Sequence, residues 1–205
     1  MSTVDEAIAA VRAGEPVVLP FDTVYGLAAD PSSEEPVRRL YALKGREPTH
    51  PTALVARDVD YVLECVPELR GRIETIARGL LPGPYTLILP NPERRFPWIT
   101  GTNPHAIGVR VPELSGPGAE VLTAVGIVVA TSANHPGGPD PATTEEVPKD
   151  IRAGAAAVVD GGELPGTPST VIDLTGSTAR VLREGAGAVE AIERLDRISV
   201  TRSSS

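Results

Sequence analysis

The alternation of short apolar segments with helix-like ones is the feature that most constrains this fold. The apolar segments run for four or five residues and are rich in β-branched side chains, which is typical of buried strands. Amphipathic patterns lie between them and predict helices. This interleaving indicates an α/β or α+β sheet with both faces at least partly covered. The expected strands are 16–20, 52–56, 85–89, 107–111, 126–130, 156–160, 170–174 and 179–182, and the expected helices are 4–13, 33–45, 58–66, 68–80, 117–125, 144–153 and 187–196.

The length of the chain, 205 residues, suits one domain that buries most of its apolar surface around a single core. We expect that domain to occupy residues 1–196 and the remainder, 197–205, to be a disordered tail. The single cysteine, Cys65, lies in an apolar helix-like segment. This setting predicts a buried, inert thiol, and one cysteine excludes an intramolecular disulfide framework.

The charge balance limits the kind of partner. Lys and Arg number 19 against 27 Asp and Glu, which gives a formal net charge of −8. Non-specific binding to nucleic acid depends on many basic residues, so this acidity argues against it and favours a small partner. The N-terminus lacks a basic start followed by an apolar block, and no apolar run approaches the roughly 18 to 20 residues that span a bilayer. We therefore expect a cytoplasmic protein without membrane contact.

Several familiar phosphate and metal motifs are missing from the sequence. It contains neither the Gly-x-x-x-x-Gly-Lys-Ser/Thr of a P-loop nor a Gly-x-Gly-x-x-Gly after a strand. The three histidines, His50, His105 and His135, lack zinc spacing. Any nucleotide chemistry in this chain therefore needs another kind of phosphate site.

The segment LYALKGREPTHP sets two cations beside a glycine. Lys44 and Arg46 flank Gly45, and residues two apart in an extended loop point the same way. Such a pair makes a clamp for a polyphosphate, in which Arg supplies a planar fork and Lys a compact charge. The alternative is a lysine that favours a helix C-terminus and an arginine in solvent.

Three other segments place small polar side chains at the ends of strands. LPFDTVYGLAAD carries Asp22 and Thr23 in a turn, and its alternative interpretation is a strand end with hydroxyl capping. VVATSANHPGGP carries Ser132 and Asn134, whose hydroxyl and amide groups can bind phosphate or ribose oxygens or merely stabilise a turn. GTPSTVIDL followed by VLREG supplies the last set, Ser169, Thr170 and Arg183.

The order and spacing of these segments closely resemble those of the YrdC-like threonylcarbamoyl-AMP synthases. The resemblance spans roughly residues 4 to 195. It is carried by Pro-Phe-Asp-Thr-Val-Tyr-Gly-Leu (20–27), Lys-Gly-Arg (44–46), Pro-Gly-Pro-Tyr-Thr (82–86), Arg-Val-Pro (110–112), Ser-Ala-Asn (132–134), Ser-Thr-Val (169–171) and Leu-Arg-Glu-Gly (182–185).

This resemblance implies a fold and a reaction. The fold is an open, twisted, mixed α/β sheet with flanking helices and a concave basic cavity. The reaction joins L-threonine, bicarbonate and ATP, with Mg²⁺, into threonylcarbamoyl-AMP and pyrophosphate. The product feeds the N6-threonylcarbamoyladenosine (t6A) modification of tRNA, so the tRNA threonylcarbamoyltransferase machinery is the implied protein partner, whereas direct tRNA binding stays open.

The resemblance also implies roles for individual residues. Lys44 and Arg46 are the expected catalytic clamp on the ATP phosphates, because fixed cations stabilise the charge that develops during nucleotidyl transfer. The other residues expected on the ATP side are His50, Ser132, Asn134, Asp140 and Arg183. The residues expected to hold L-threonine are Thr23, Arg110 and Ser169, with Arg110 the natural partner of its carboxylate. The resemblance names no metal ligands.

The chain departs from the family pattern at several positions near both pockets. These departures are Phe21, Glu47, His50, Val55 and Ala106. They leave open a divergent paralogue that binds nucleotide or RNA with altered or no synthase activity. Carbamoyltransferases of hydrogenase maturation carry a similar domain within a much longer protein bearing zinc fingers, and this chain has no such fingers.

Overall fold

The computed structural model describes the backbone of residues 1–202 and the side chains of residues 1–198. Its centre is a sheet of nine strands in the order β7-β1-β2-β6-β3-β5-β4-β8-β9. The strands are β1 (Val17–Pro20), β2 (Tyr25–Ala29), β3 (Ala53–Ala56), β4 (Tyr85–Pro90), β5 (Ala106–Arg110), β6 (Ile127–Ser132), β7 (Ala157–Val158), β8 (Thr170–Asp173) and β9 (Arg180–Arg183).

The sheet is mixed, as the resemblance implies. β1 and β2 form an antiparallel hairpin, and β6 pairs antiparallel with both β2 and β3. The pairs β3–β5, β4–β8 and β1–β7 are parallel. Val55 lies directly beside Arg110 in the β3–β5 register, so their side chains share one face of the sheet.

Seven helices and one 3-10 turn flank the described sheet. The Thr3 hydroxyl accepts the amide of Glu6 while the Glu6 carboxylate accepts the amide of Thr3, so a capping box starts the first helix. Gly45, in the left-handed conformation at φ 68°, ends the second helix immediately after Lys44. The helices are α1 (Val4–Arg12), α2 (Glu34–Lys44), α3 (Val59–Cys65), α4 (Arg72–Leu80), α5 (Gly116–Val125), α6 (Lys149–Gly154) and α7 (Ala188–Arg202), and the 3-10 turn is Pro97–Ile99.

The two faces of the sheet are covered unequally. One face carries the larger apolar core, to which α2, α3, α4, α6 and α7 all contribute buried side chains. The other face carries a smaller core under α1 and α5, which pack on each other and on the end of the sheet that contains β7, β1 and β6. The same face is therefore left open over β3, β5, β4 and β8.

The structure corrects several expected boundaries. No strand was expected at 25–29, the segment after the turn that carries Asp22 and Thr23. Its sequence, Tyr-Gly-Leu-Ala-Ala, has weak strand propensity, but it forms β2 because β1 and β6 pair with it on both sides. The helix expected at 144–153 begins only at Lys149. Helix α7 continues past residue 196 to Arg202, where a disordered tail was expected, and residues 203–205 of that tail lie outside the described residues. None of the described helices is long and apolar enough to cross a membrane.

Candidate functional site

A cavity of about 420 Å³ lies on the open face of the sheet. Its floor follows the alternation of strand residues, since Gly108 and Arg110 of β5 face it while Ile107 and Val109 enter the core. Thr86 and Ile88 of β4, Ala53 and Val55 of β3 and Val171 of β8 continue the same floor. Gly108 has no side chain, so its backbone forms this part of the floor.

The charge of the cavity is opposite to that of the chain. Three guanidinium groups line it, from Arg46, Arg110 and Arg183. Asp140 is the one carboxylate among the described residues that line it. The formal net charge of −8 therefore resides elsewhere on the molecule, and the cavity attracts anions.

Lys44 connects the end of α2 to the loop after β6. Its side chain is 3% exposed, and its ammonium donates hydrogen bonds to the carbonyl oxygen of Ser132 at 2.6 Å, the carbonyl oxygen of Asn134 at 2.7 Å and Asn134 Oδ1 at 2.8 Å. Burial, with a smaller contribution from the charge of Arg46, lowers the pKa of Lys44 to about 8, and the charge of Asp140 opposes this shift. The three ammonium hydrogens are thus all committed within the protein.

The loop that Lys44 holds is also closed on itself. Ser132 donates its hydroxyl hydrogen to Asn134 Oδ1 at 2.8 Å, and Asn134 Nδ2 donates to the Gly138 carbonyl oxygen at 2.7 Å. Asn134 Nδ2 also reaches Asp140 Oδ1 at 3.4 Å. This network holds Ser132 and Asp140 in the wall of the cavity, while Asn134 is buried behind them.

Arg46 lines the same cavity from the loop that follows α2. It donates to the backbone carbonyl oxygens of His50 and Pro51, so the loop that follows α2 holds the guanidinium in place. Its head lines the cavity and has no carboxylate partner among the described residues. Arg46 is therefore a fixed cation whose charge is not neutralised by a described carboxylate, so it can bind an anion.

Arg110 forms a buried ion pair with Asp22. Its Nη2 donates to Asp22 Oδ1 and to Thr23 Oγ1, the latter at 2.7 Å, and its Nε is buried without a partner. Burial raises the pKa of Asp22, and the Arg110 charge opposes that shift. Burial likewise lowers the pKa of Arg110, Asp22 opposes the shift, and the nearby charge of Arg183 adds to it.

Ser169 and Arg183 form the third side of the cavity. The hydroxyls of Ser169 and Thr86 lie 2.8 Å apart, and Arg183 Nη2 donates to the Ser169 carbonyl oxygen at 2.8 Å. Thr86, on the floor between Arg110 and Ser169, was not among the residues expected at the site. Side chains alternate between the two faces of a strand, and Tyr85 is buried on the other face. This alternation is the sequence feature that could have identified Thr86 as a residue of the open face.

The structure brings most of the expected residues together. Those that line the cavity are Arg46, Arg110, Ser132, Asp140, Ser169 and Arg183, and those buried directly behind its wall are Thr23, Lys44 and Asn134. His50 is exposed and outside the lining, and only its backbone oxygen contacts Arg46. Of the departures from the family pattern, Phe21 and Val55 form part of the wall, whereas Glu47 is exposed at the loop.

The described residues contain no group of three or more His, Cys, Asp or Glu side chains that could hold a metal ion. Asp140 is the carboxylate available in the cavity lining. This donor set does not fit a metal held by protein ligands alone. It fits Mg²⁺, which usually binds through one or two carboxylates together with substrate phosphates and water.

Known proteins match the chain over most of its length. A family model described as "Telomere recombination", for Sua5, YciO and YrdC proteins, matches residues 9–185. A threonylcarbamoyl-AMP synthase of Pyrococcus abyssi is 33% identical over 186 residues, which are 90% of this chain and 54% of that protein. A threonylcarbamoyl-AMP synthase of Pseudomonas syringae is 33% identical over 187 residues, which are 89% of this chain and 97% of that protein.

Solved structures agree with these relatives. The crystal structure of P. abyssi Sua5 complexed with L-threonine has a TM-score of 0.85 and 32% identity, covering 94% of this chain and 56% of that one. The crystal structure of E. coli YciO has a TM-score of 0.77 and 29% identity, covering 92% of this chain and 91% of that one. The chain therefore spans about half the length of the Pyrococcus relative and nearly all of the other two.

Proposed function

The chain belongs to the Sua5/YciO/YrdC family, and from that premise we propose that it is a threonylcarbamoyl-AMP synthase. The proposed reaction converts L-threonine, bicarbonate and ATP into threonylcarbamoyl-AMP and pyrophosphate. One observation carries the proposal: the open face of the sheet holds an arginine suited to a carboxylate, Arg110, and one suited to phosphates, Arg46, in one cavity. The product supplies the t6A modification of tRNA, with the tRNA threonylcarbamoyltransferase machinery as its consumer.

The proposed roles follow from what each residue contacts. Arg110, Thr23 and Ser169 form the threonine side, where the guanidinium receives the carboxylate of the amino acid. Threonine, once carboxylated on its amine, attacks the α-phosphorus of ATP through an oxygen of the new carbamate, and pyrophosphate leaves. Nucleotidyl transfer needs positioning and charge stabilisation more than a protein nucleophile, and the arginines of this cavity supply both.

The ATP side of the cavity is formed by Arg46, Arg183, Ser132 and Asp140. Arg46 and Arg183 balance the charge that accumulates on the phosphoryl oxygens and on the departing pyrophosphate. Lys44 supports this side from behind by holding the backbone of Ser132. Mg²⁺ that arrives with ATP neutralises phosphate charge, and Asp140 is the residue that would hold it.

The test is pyrophosphate release from ATP and Mg²⁺, with L-threonine and bicarbonate supplied separately and together. We expect release only when both are present. Arg46→Ala should lower the rate about 100-fold, because a fixed cation at developing charge contributes on that order. Arg38→Ala, an exposed arginine of α2 paired with Glu35, is the matched control and should leave the rate unchanged. Release that ignores threonine would overturn the proposal.

A second candidate function is a synthase for another amino acid. Val55, the direct cross-strand neighbour of Arg110, and the ring of Phe21 make the wall beside the carboxylate clamp apolar. An apolar wall discriminates poorly against an isostere that lacks the threonine hydroxyl. The same assay with L-valine and L-serine separates the candidates: the first proposal requires L-threonine to give the highest kcat/KM, and the second requires another amino acid to exceed it.

A further inference from the structure

The turn that carries Asp22 is held firmly at several points. The amide of Phe21 donates to the Val24 carbonyl oxygen at 3.3 Å, and the amide of Gly166 donates to the Thr23 carbonyl oxygen at 2.9 Å. The second oxygen of the Asp22 carboxylate accepts the amide of Glu113 at 3.1 Å. Asp22 is therefore fixed by its own side chain and by the backbone of the turn around it.

Arg110 is held at one corner of its guanidinium. Nη2 uses its two hydrogens on Asp22 and Thr23. Nε is buried and unpaired, and Nη1 makes no hydrogen bond with any residue that the structure describes. Asp22 itself is not part of the cavity lining, whereas Arg110 is. The carboxylate thus touches the arginine from behind, and the other side of the guanidinium meets the cavity.

We propose that Asp22 is a positioning residue of the amino-acid subsite: by binding Nη2 of Arg110 it fixes the guanidinium so that Nη1 faces the cavity and receives the substrate's carboxylate. This inference rests on the proposed function, since it concerns the amino acid of that reaction. A planar guanidinium binds a carboxylate best when its orientation is set in advance, because less rotational freedom is then lost on binding.

The kinetic test compares Asp22→Asn with the wild-type protein in the pyrophosphate assay. Asparagine keeps an oxygen acceptor but removes the charge. We expect the KM for L-threonine to rise about tenfold or more, the effect of losing a charge-assisted hydrogen bond, while kcat and the KM for ATP stay within about threefold. An unchanged or lower KM for L-threonine would overturn the proposal, because Asp22 would then be inert or a competitor for Arg110.

Two further variants test whether the effect comes from the charge of Asp22 rather than from the shape of its side chain or from a general loss of structure. Asp22→Glu keeps the carboxylate and should hold the KM for L-threonine within about threefold of the wild-type value. Glu113→Gln is the control. Glu113 contacts Asp22 only through its backbone amide and its carboxylate is exposed, so this change should alter neither the KM for L-threonine nor the KM for ATP. An Asp22→Glu protein as impaired as Asp22→Asn would contradict the role assigned to the charge.

A measurement on the wild-type protein covers the case in which Asp22→Asn does not fold. The Arg110 guanidinium ¹⁵N resonances, assigned by their loss in Arg110→Lys, should show hindered rotation without any ligand. Free rotation would overturn the inference. This measurement is independent of catalysis: if the wild-type protein releases no pyrophosphate with L-threonine, the proposed function fails, while the resonances still report whether the Arg110 guanidinium is held in place.

Discussion

Lys44 uses all three of its ammonium hydrogens inside the protein, on Ser132 and Asn134. A phosphate contact from the same nitrogen would therefore require one of these bonds to break. The more direct role of Lys44 is to hold the loop after β6 in the shape that places Ser132 in the cavity wall. Its expected catalytic role stays a prediction, which substitution can test.

Lys44→Ala should lower both stability and activity. The change leaves buried oxygens of Ser132 and Asn134 without donors, at a cost of about 1–3 kcal/mol in the free energy of unfolding. We expect pyrophosphate release to fall about 100-fold, since the loop and the nearby positive charge are lost together. Lys149→Ala, at the exposed start of α6 and the only other lysine, is the control and should match the wild-type protein. Equal stability of the two variants would contradict this account.

The depressed pKa of Lys44 also predicts how stability depends on pH. In the folded protein the pKa is about 8, against 10.5 for the ordinary group. Between these values the unfolded chain keeps a proton that the folded protein has released, so this contribution to stability rises with pH and disappears as pH falls through 8.

The measurement is denaturant unfolding of the wild-type protein and of Lys44→Met, from below pH 8 to above pH 10. The free energy of unfolding of the wild-type protein, taken relative to Lys44→Met, should increase through this window by up to about 1.4 kcal/mol per pH unit. Because methionine does not titrate, the difference isolates Lys44. A difference that is independent of pH would show that Lys44 titrates alike in both states.

Helix α5 depends on one glycine for its approach to the sheet. Gly118 is buried, and a Cβ there would overlap the backbone carbonyl oxygen of Pro20 at the end of β1. The same helix packs on α1 and closes the smaller core. This contact therefore sets how closely α5 packs over the end of β1 and the smaller core.

Gly118→Ala tests this contact. Alanine is favoured over glycine inside a helix by about 1 kcal/mol, but overlap with a backbone atom that cannot move away costs more, so we expect a net loss of about 2 kcal/mol. Thr123→Ala, on the exposed side of α5, should change the free energy of unfolding by less than about 0.5 kcal/mol. Chemical denaturation measures both, and a stabilised Gly118→Ala protein would show that α5 does not need its close approach.

The whole molecule combines an acidic exterior with a basic interior surface. The chain carries a net charge of −8, while three arginines and one carboxylate line the cavity. A small polyanion such as ATP can enter such a cavity, whereas a long nucleic acid would meet the acidic exterior. This separation of charge favours the synthase over an RNA-binding module.

Electrophoresis with tRNA tests this property of the molecule. We expect no shift at micromolar protein in about 0.15 M salt, because counterion release needs many surface cations. The same preparation should bind ATP by calorimetry, which serves as the control for a folded site. A tRNA shift that is lost at modestly higher salt, without ATP binding, would favour the RNA-binding alternative.

The sequence by itself determined the α/β class of the fold, and its resemblance to a known family predicted a set of site residues, most of which lie in or behind one cavity. Periodicity placed eight of the nine described strands, and the family resemblance named Arg46, Arg110 and Ser169, which all line one cavity. These features are local: runs or alternation of apolar residues predict strands, and glycines and prolines predict turns, from a few neighbouring residues.

The tertiary structure alone decided which of those residues touch one another. β2 became a strand only through its neighbours on both sides, and Lys44 bonds to residues 88 and 90 positions away. Asp22 meets Arg110 across 88 positions, because the turn after β1 reaches the end of β5 although three strands separate β1 from β5 in the sheet. Strand order is set by the packing of the whole core, and short-range patterns carry no record of it. For the same reason His50, adjacent in sequence to the clamp, lies outside the cavity.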